Sequence, residues 1–199
     1  MQLKILRILQ TKENKIMANN NETKVITGKV RFSYANVFEP KSINGSDEKY
    51  STSILIDKKD TKTIKAIRNA IEAAKQAGVS KFGGKIPAKL KEPLRDGDEE
   101  REDDENYQGK YFINANAKTK PGLVDKKGRP IIDSTEFYSG CYGYASITFY
   151  AFNSNGNKGI ACGLNNIMKT DDGEPLGGRA KAEDDFADLI TEDEDDFLD

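Results

Sequence analysis

Cys141-Tyr142-Gly143-Tyr144-Ala145-Ser146-Ile147-Thr148-Phe149-Tyr150-Ala151-Phe152 alternates with a period of two. Its odd positions are small or apolar, whereas its even positions, Tyr142, Tyr144, Ser146, Thr148, Tyr150 and Phe152, are aromatic or hydroxylated. Successive strand side chains point to opposite faces, so this segment reads as a half-buried strand with small residues inward and amphipathic rings toward water. Asn153-Ser154-Asn155-Gly156-Asn157 is turn-forming, and residues 158–168 supply a second strand, so the pair reads as a hairpin.

Residues 110–120 behave in the same way. Tyr111, Ile113, Ala115 and Ala117 form an apolar side, and Lys110, Phe112, Asn114, Asn116, Lys118 and Lys120 form a basic, aromatic and amide-rich one. Nearer the N-terminus, residues 24–34 read as a strand with Ile26, Val30, Phe32 and Tyr34 on the core face and Lys29 and Arg31 opposite. Residues 49–56 form another strand. A helix then starts at Asp60 or Thr61, with Ile64, Ile67, Ile71 and Ala74 on one face and Gly78 just past its end. The stretch 79–109 contains Gly83-Gly84, Pro87, Pro93 and an acidic insert; it is too long for an ordinary connection and reads as a functional or mobile loop. Five strands, one helix and no repeat predict a mainly β fold, a five-stranded antiparallel β-barrel whose closure hides its edges.

The 199 residues suffice for one folded unit, expected over 22–175, with residues 1–21 as a disordered leader or extension and 176–199 as a flexible acidic tail. Residues 1–9 lack the continuous apolar run of a signal peptide, and no segment reads as membrane-spanning. Histidine is absent, and Cys141 and Cys162 lie far apart, which disfavours zinc sites and nucleophile–base catalysis; the chain is expected to be no enzyme and to need no cofactor or metal. The two thiols read as small apolar side chains, with a disulfide as the alternative. The acids of 96–105 match no calcium-loop spacing.

Charge is divided unevenly. Net charge is −2, yet residues 183–199 hold ten acidic groups and no basic one, and residues 96–105 hold eight acids and only Arg101. The rest of the chain is therefore positive, as a polyanion-binding surface would be. Single-stranded nucleic acid offers a regular anionic backbone and the π-faces of unpaired bases, and aromatics interleaved with lysines match both. The candidate contacts are Lys29, Arg31, Tyr107, Lys110, Phe112, Asn114, Asn116, Lys118, Lys120, Tyr142, Tyr144, Tyr150 and Phe152, on two ribbons expected to lie side by side. In the tail, Phe197 and Leu198 follow a strongly anionic run, suited to recruiting a protein partner once DNA displaces the tail from the basic face.

Several segments carry a resemblance: Pro93-Leu94-Arg95-Asp96-Gly97-Asp98, Tyr107-Gln108-Gly109-Lys110-Tyr111-Phe112-Ile113-Asn114-Ala115, Lys120-Pro121-Gly122-Leu123-Val124-Asp125, Tyr138-Ser139-Gly140-Cys141 and Gly156-Asn157-Lys158-Gly159 with Gly163-Leu164-Asn165-Asn166-Ile167. Together they resemble phage-encoded single-stranded-DNA-binding proteins built on an oligonucleotide/oligosaccharide-binding (OB) barrel. The resemblance implies sequence-tolerant binding of single-stranded DNA in phage replication or recombination, in the cytoplasm of a bacterial host; the expected partners are phage or host replication proteins, met through the acidic tail, and a second copy of the chain as a homodimer. Such barrels usually place three strands before the helix, where residues 24–56 offer two unless the first one bends. Two competing readings are a structural or protein-interaction phage component using the aromatic strand face, and an acid-cluster nuclease, which the lack of histidine disfavours.

Overall fold

A computed structural model of the chain describes residues 22–177 apart from 43, 44, 46 and 155. The N-terminal leader and nearly all of the acidic tail, Phe197 and Leu198 included, lie outside the described residues. The strands are β1 (Lys24–Ile26), β2 (Val30–Lys41), β3 (Lys49–Asp57), β4 (Arg95–Asp96), β5 (Lys110–Ala117), β6 (Gly122–Val124), β7 (Tyr142–Ser154) and β8 (Asn157–Asp171), with one long helix, α1 (Thr61–Ala77).

The pairings form a ring: β2 with β3, β3 with β5, β5 with β8, β8 with β7, and β7 back to β2. Two of its seams are short. Strands β5 and β8 meet in parallel through Ala115↔Cys162 and Asn116↔Gly163, and β2 meets β7 through Val30↔Gly143 and Arg31↔Tyr142. The five-stranded, mainly β expectation therefore holds, with β1, β4 and β6 as short additions and one seam parallel.

The β7–β8 hairpin follows the alternation of its sequence: Gly143, Ala145, Ile147, Phe149 and Ala151 are buried inside the barrel. Helix α1 starts where the Asp60 carboxylate accepts the Thr63 N–H at 3.0 Å, and it buries Ile64, Ile67, Ala70, Ile71 and Ala74. Its main contact is β7, and it stops at Gly78, where an added Cβ would lie 2.1 Å from Ala151. Cys141 and Cys162 are both buried free thiols, and burial drives the Cys162 pKa upward.

Residues 24–34 need correction. They split into β1 and β2, which together follow one edge of β7, and the intervening 27–29 step resets which face points inward. At that step Gly28 donates to Thr63 Oγ1 at 2.8 Å, in a space where an added Cβ would meet Asp60 Oδ2 at 2.4 Å. Val25, Val30 and Phe32 are buried, but Ile26 is 72% exposed and Tyr34 56% exposed, opposite to the face expected of them. At Tyr34 the cause is a register shift between Ser33 and Asn36, with a backbone φ of 47° that turns the ring outward.

The 79–109 stretch is tied down by short elements. Phe82 is buried, Lys91 pairs with the Lys158–Ile160 backbone, and β4 leads into a helical turn, Gly97–Glu100, and a 3-10 turn, Glu105–Tyr107. Residues 95–109 form a clip against the outside of β3 and β5. Tyr107 packs edge-on against Phe112 at 5.0 Å, and with Leu55 they make a second apolar cluster outside the barrel, joined by Leu176.

Candidate nucleic-acid interface

Register alone lays a row of side chains transversely across the barrel. Asn36 pairs with Ser51, Ser51 with Asn116, Asn116 with Gly163, Gly163 with Thr148, and Thr148 with Lys24. Every member is polar or glycine, and Ser53↔Asn114 runs beside it on the β3–β5 face. Because pairs directly opposite one another share a face, the row is continuous over strands that are far apart in sequence.

On β3 and β5 the row is the floor of a groove of ≈ 490 Å³, walled by Tyr34 and Asn36 from β2, by Lys41 and Ser42 at the end of β2, and by Arg101 from the clip. Asn36 donates to the Tyr34 carbonyl at 3.2 Å and to Ser51 Oγ at 3.4 Å, so this wall is braced. The groove offers hydroxyls, amides, one outward ring and two cations. Beyond β5, Lys118 and Lys120 are exposed, and the Lys120 ammonium sits 5.3 Å from the Phe38 ring centroid.

A second constellation lies on β7. The Tyr142 ring faces the Lys29 ammonium at 5.6 Å and the Arg31 guanidinium at 5.4 Å. Both cations also hold the end of β8 and the segment after it. Lys29 pairs with Asp171 at 2.7 Å, which keeps that carboxyl below its usual range, and Arg31 donates to the Glu174 carbonyl at 2.7 Å and to Gly140 O at 3.3 Å. Tyr144 is half-buried on the same face. Farther along the hairpin Tyr150 is 46% exposed, and an added Cβ at Gly163 would lie 3.5 Å from its ring. Phe152, half-buried, packs near Gly159.

Three expectations need correction here. Strands β5 and β7 are not neighbours, because β8 runs between them. Phe112, at 0% exposure, shares the outward face of Asn114 and Asn116 but is covered by Tyr107, itself 1% exposed with its hydroxyl donating to Ser53 Oγ at 3.1 Å. Neither ring is open to a base. Lys110 keeps partial exposure, opposite Asp57 across the β3–β5 ladder.

The groove also contains residues the strand-by-strand reading missed. Ser51 and Ser53 alternate within the 49–56 strand signal, and Arg101 is the lone base of the acidic run, so both were visible in the sequence. Tyr34 had no such mark.

Set against known proteins, residues 23–198 match the family model described as "Enterobacter phage Enc34, ssDNA-binding protein". Protein p50 of Acyrthosiphon pisum secondary endosymbiont phage 1 is 30% identical over 187 residues, 88% of this chain and 98% of that one. Among solved structures, the single-stranded DNA-binding protein from bacteriophage Enc34 in complex with ssDNA superposes with a TM-score of 0.70 at 25% identity, covering 78% of this chain and 90% of that one. For gp2.5, a single-stranded DNA binding protein encoded by bacteriophage T7, the TM-score is 0.56 at 18% identity, covering 85% and 96%, a likeness of fold. The chain belongs to the phage single-stranded-DNA-binding protein family represented by that of Enterobacter phage Enc34.

Proposed function

We propose that this protein binds single-stranded DNA with little regard to sequence, in phage DNA replication or recombination within the bacterial cytoplasm. The observation that carries this reading is the transverse row from Asn36 to Thr148, flanked by Tyr34 and by cations. Unpaired bases stack on Tyr34 and Tyr150, each such contact contributing about 1–3 kcal/mol. Asn114 and Asn116 hydrogen-bond base edges and sugars, while Lys41, Arg101, Lys118 and Lys120 neutralise phosphates. Tyr144, Phe152 and the Lys29–Arg31–Tyr142 stack flank this track on β7.

The acidic residues 183–199 compete with DNA for the same cations and, once displaced, present Phe197 and Leu198 to replication proteins. The test is titration of a labelled oligonucleotide at two salt concentrations with the full chain and with a chain lacking 183–199. Expected are affinity that falls as salt rises, and tighter binding at low salt without the tail. No binding at low salt overturns the reading; unchanged affinity without the tail overturns the competition alone.

A further inference from the structure

The clip places opposite charges side by side, and the use each charge is put to differs. Asp96 and Asp98 accept the Lys58 ammonium, at 2.8 and 2.7 Å; Asp98 also accepts the Gly109 N–H at 2.7 Å; Glu100 pairs with Arg95, whose guanidinium lies 4.6 Å from the Phe112 ring centroid; and Asp104 accepts the Asn106 N–H at 3.1 Å. These four acids fasten the clip. Glu99, Glu102, Asp103 and Glu105 are exposed, and their carboxylates make no hydrogen bond or ion pair among the described residues. Between them stands Arg101, which walls the groove and lies 5.6 Å from the centroid of the anchored Tyr107 ring.

We propose that the clip selects strand number: Arg101 holds the backbone of a single strand in the groove, while Glu99, Glu102, Asp103 and Glu105 repel the second strand of a duplex. This rests on the single-strand reading above. Consecutive Cα atoms are about 3.8 Å apart, so Glu102 and Asp103 stand within about one Debye length, roughly 8–10 Å, of the Arg101 position on the groove wall. Their field therefore reaches what the groove binds. A single strand is flexible and can turn its phosphates toward Arg101 and Lys41 and away from the acids. A duplex carries one charge per about 1.7 Å and keeps its direction over about 150 base pairs, so it cannot bend its second backbone clear of the rim. The fastened acids keep this rim in one place, which a mobile acidic loop would not.

The test combines Glu99→Gln, Glu102→Gln, Asp103→Asn and Glu105→Gln in the full chain. Affinities are measured for a labelled single-stranded oligonucleotide and for a blunt duplex of the same length, at low and at high salt, with thermal melting to verify the fold. The expected result is single-strand affinity within about threefold of the parent and duplex affinity raised about tenfold or more at low salt, with the gain shrinking as salt screens the rim. A ratio of single-strand to duplex affinity that the variant leaves unchanged overturns the proposal, as does a parent that binds both equally. A parent that binds no single strand overturns the underlying functional reading instead.

Discussion

Along the outer face of β3 and β5, two stretches of one ladder meet different fates. Ser51–Asn116 and Ser53–Asn114 form the floor of the groove, with the serines buried at its base and Asn114 exposed, whereas Leu55–Phe112, the next pair on that face, is roofed by Tyr107. On this face the ladder pairs polar with polar and apolar with apolar, so the end of the groove is set by a change of one cross-strand pair. The roof and the floor are also coupled, because the Tyr107 hydroxyl donates to Ser53 Oγ.

The sharpest way to break this contrast is to truncate the roofed pair. Phe112→Ala removes a fully buried ring and should cost about 3–5 kcal/mol of stability, read as a lowered denaturant midpoint. An unchanged midpoint would mean that the clip does not pack as described. Next in size is the open half. Tyr34→Gly deletes the outward ring while supplying the residue best suited to a φ of 47°, so stability should hold or rise while single-strand affinity falls by about 1–3 kcal/mol, roughly 5- to 150-fold. Parallel loss of both would make Tyr34 a structural residue only.

The smallest effect is a pH response of the clip. Asp98 is held below its ordinary pKa of 3.8, first by the Lys58 hydrogen bond and then by the Gly109 N–H. A depressed folded-state pKa stabilises fully above the unfolded value and is lost as pH falls through the folded one. Hydrogen exchange at Gly109 should therefore be independent of this group at neutral pH and show loosening only below about pH 4. Asp98→Asn should abolish that acid step, and a step that persists would assign it to another carboxylate.

What the sequence could reveal depended on whether a segment's surroundings were local. The β7 alternation, the helix with its Asp60 cap and the hairpin at Gly156 are local, and the structure repeats them. Tyr34 was misplaced because a bulge changes side-chain parity without needing a glycine or proline to announce it. Phe112 was misplaced because its cover comes from Tyr107, in a stretch whose acids and glycines read as a mobile loop; four of those acids are spent as fasteners. The mistaken adjacency of β5 and β7 had a third origin. Hairpin logic orders neighbours along the chain, and the parallel contact of β5 with β8 joins strands that are not consecutive.

That short parallel seam constrains the order of events during synthesis. The ring cannot be joined until β8, the last strand among the described residues, has left the ribosome, so β5 spends translation with the part of its edge beyond β4, around Ala115 and Asn116, unpaired. Asn114, Asn116, Lys118 and Lys120, argued above to serve the finished protein, also make that edge a poor template for neighbouring nascent chains.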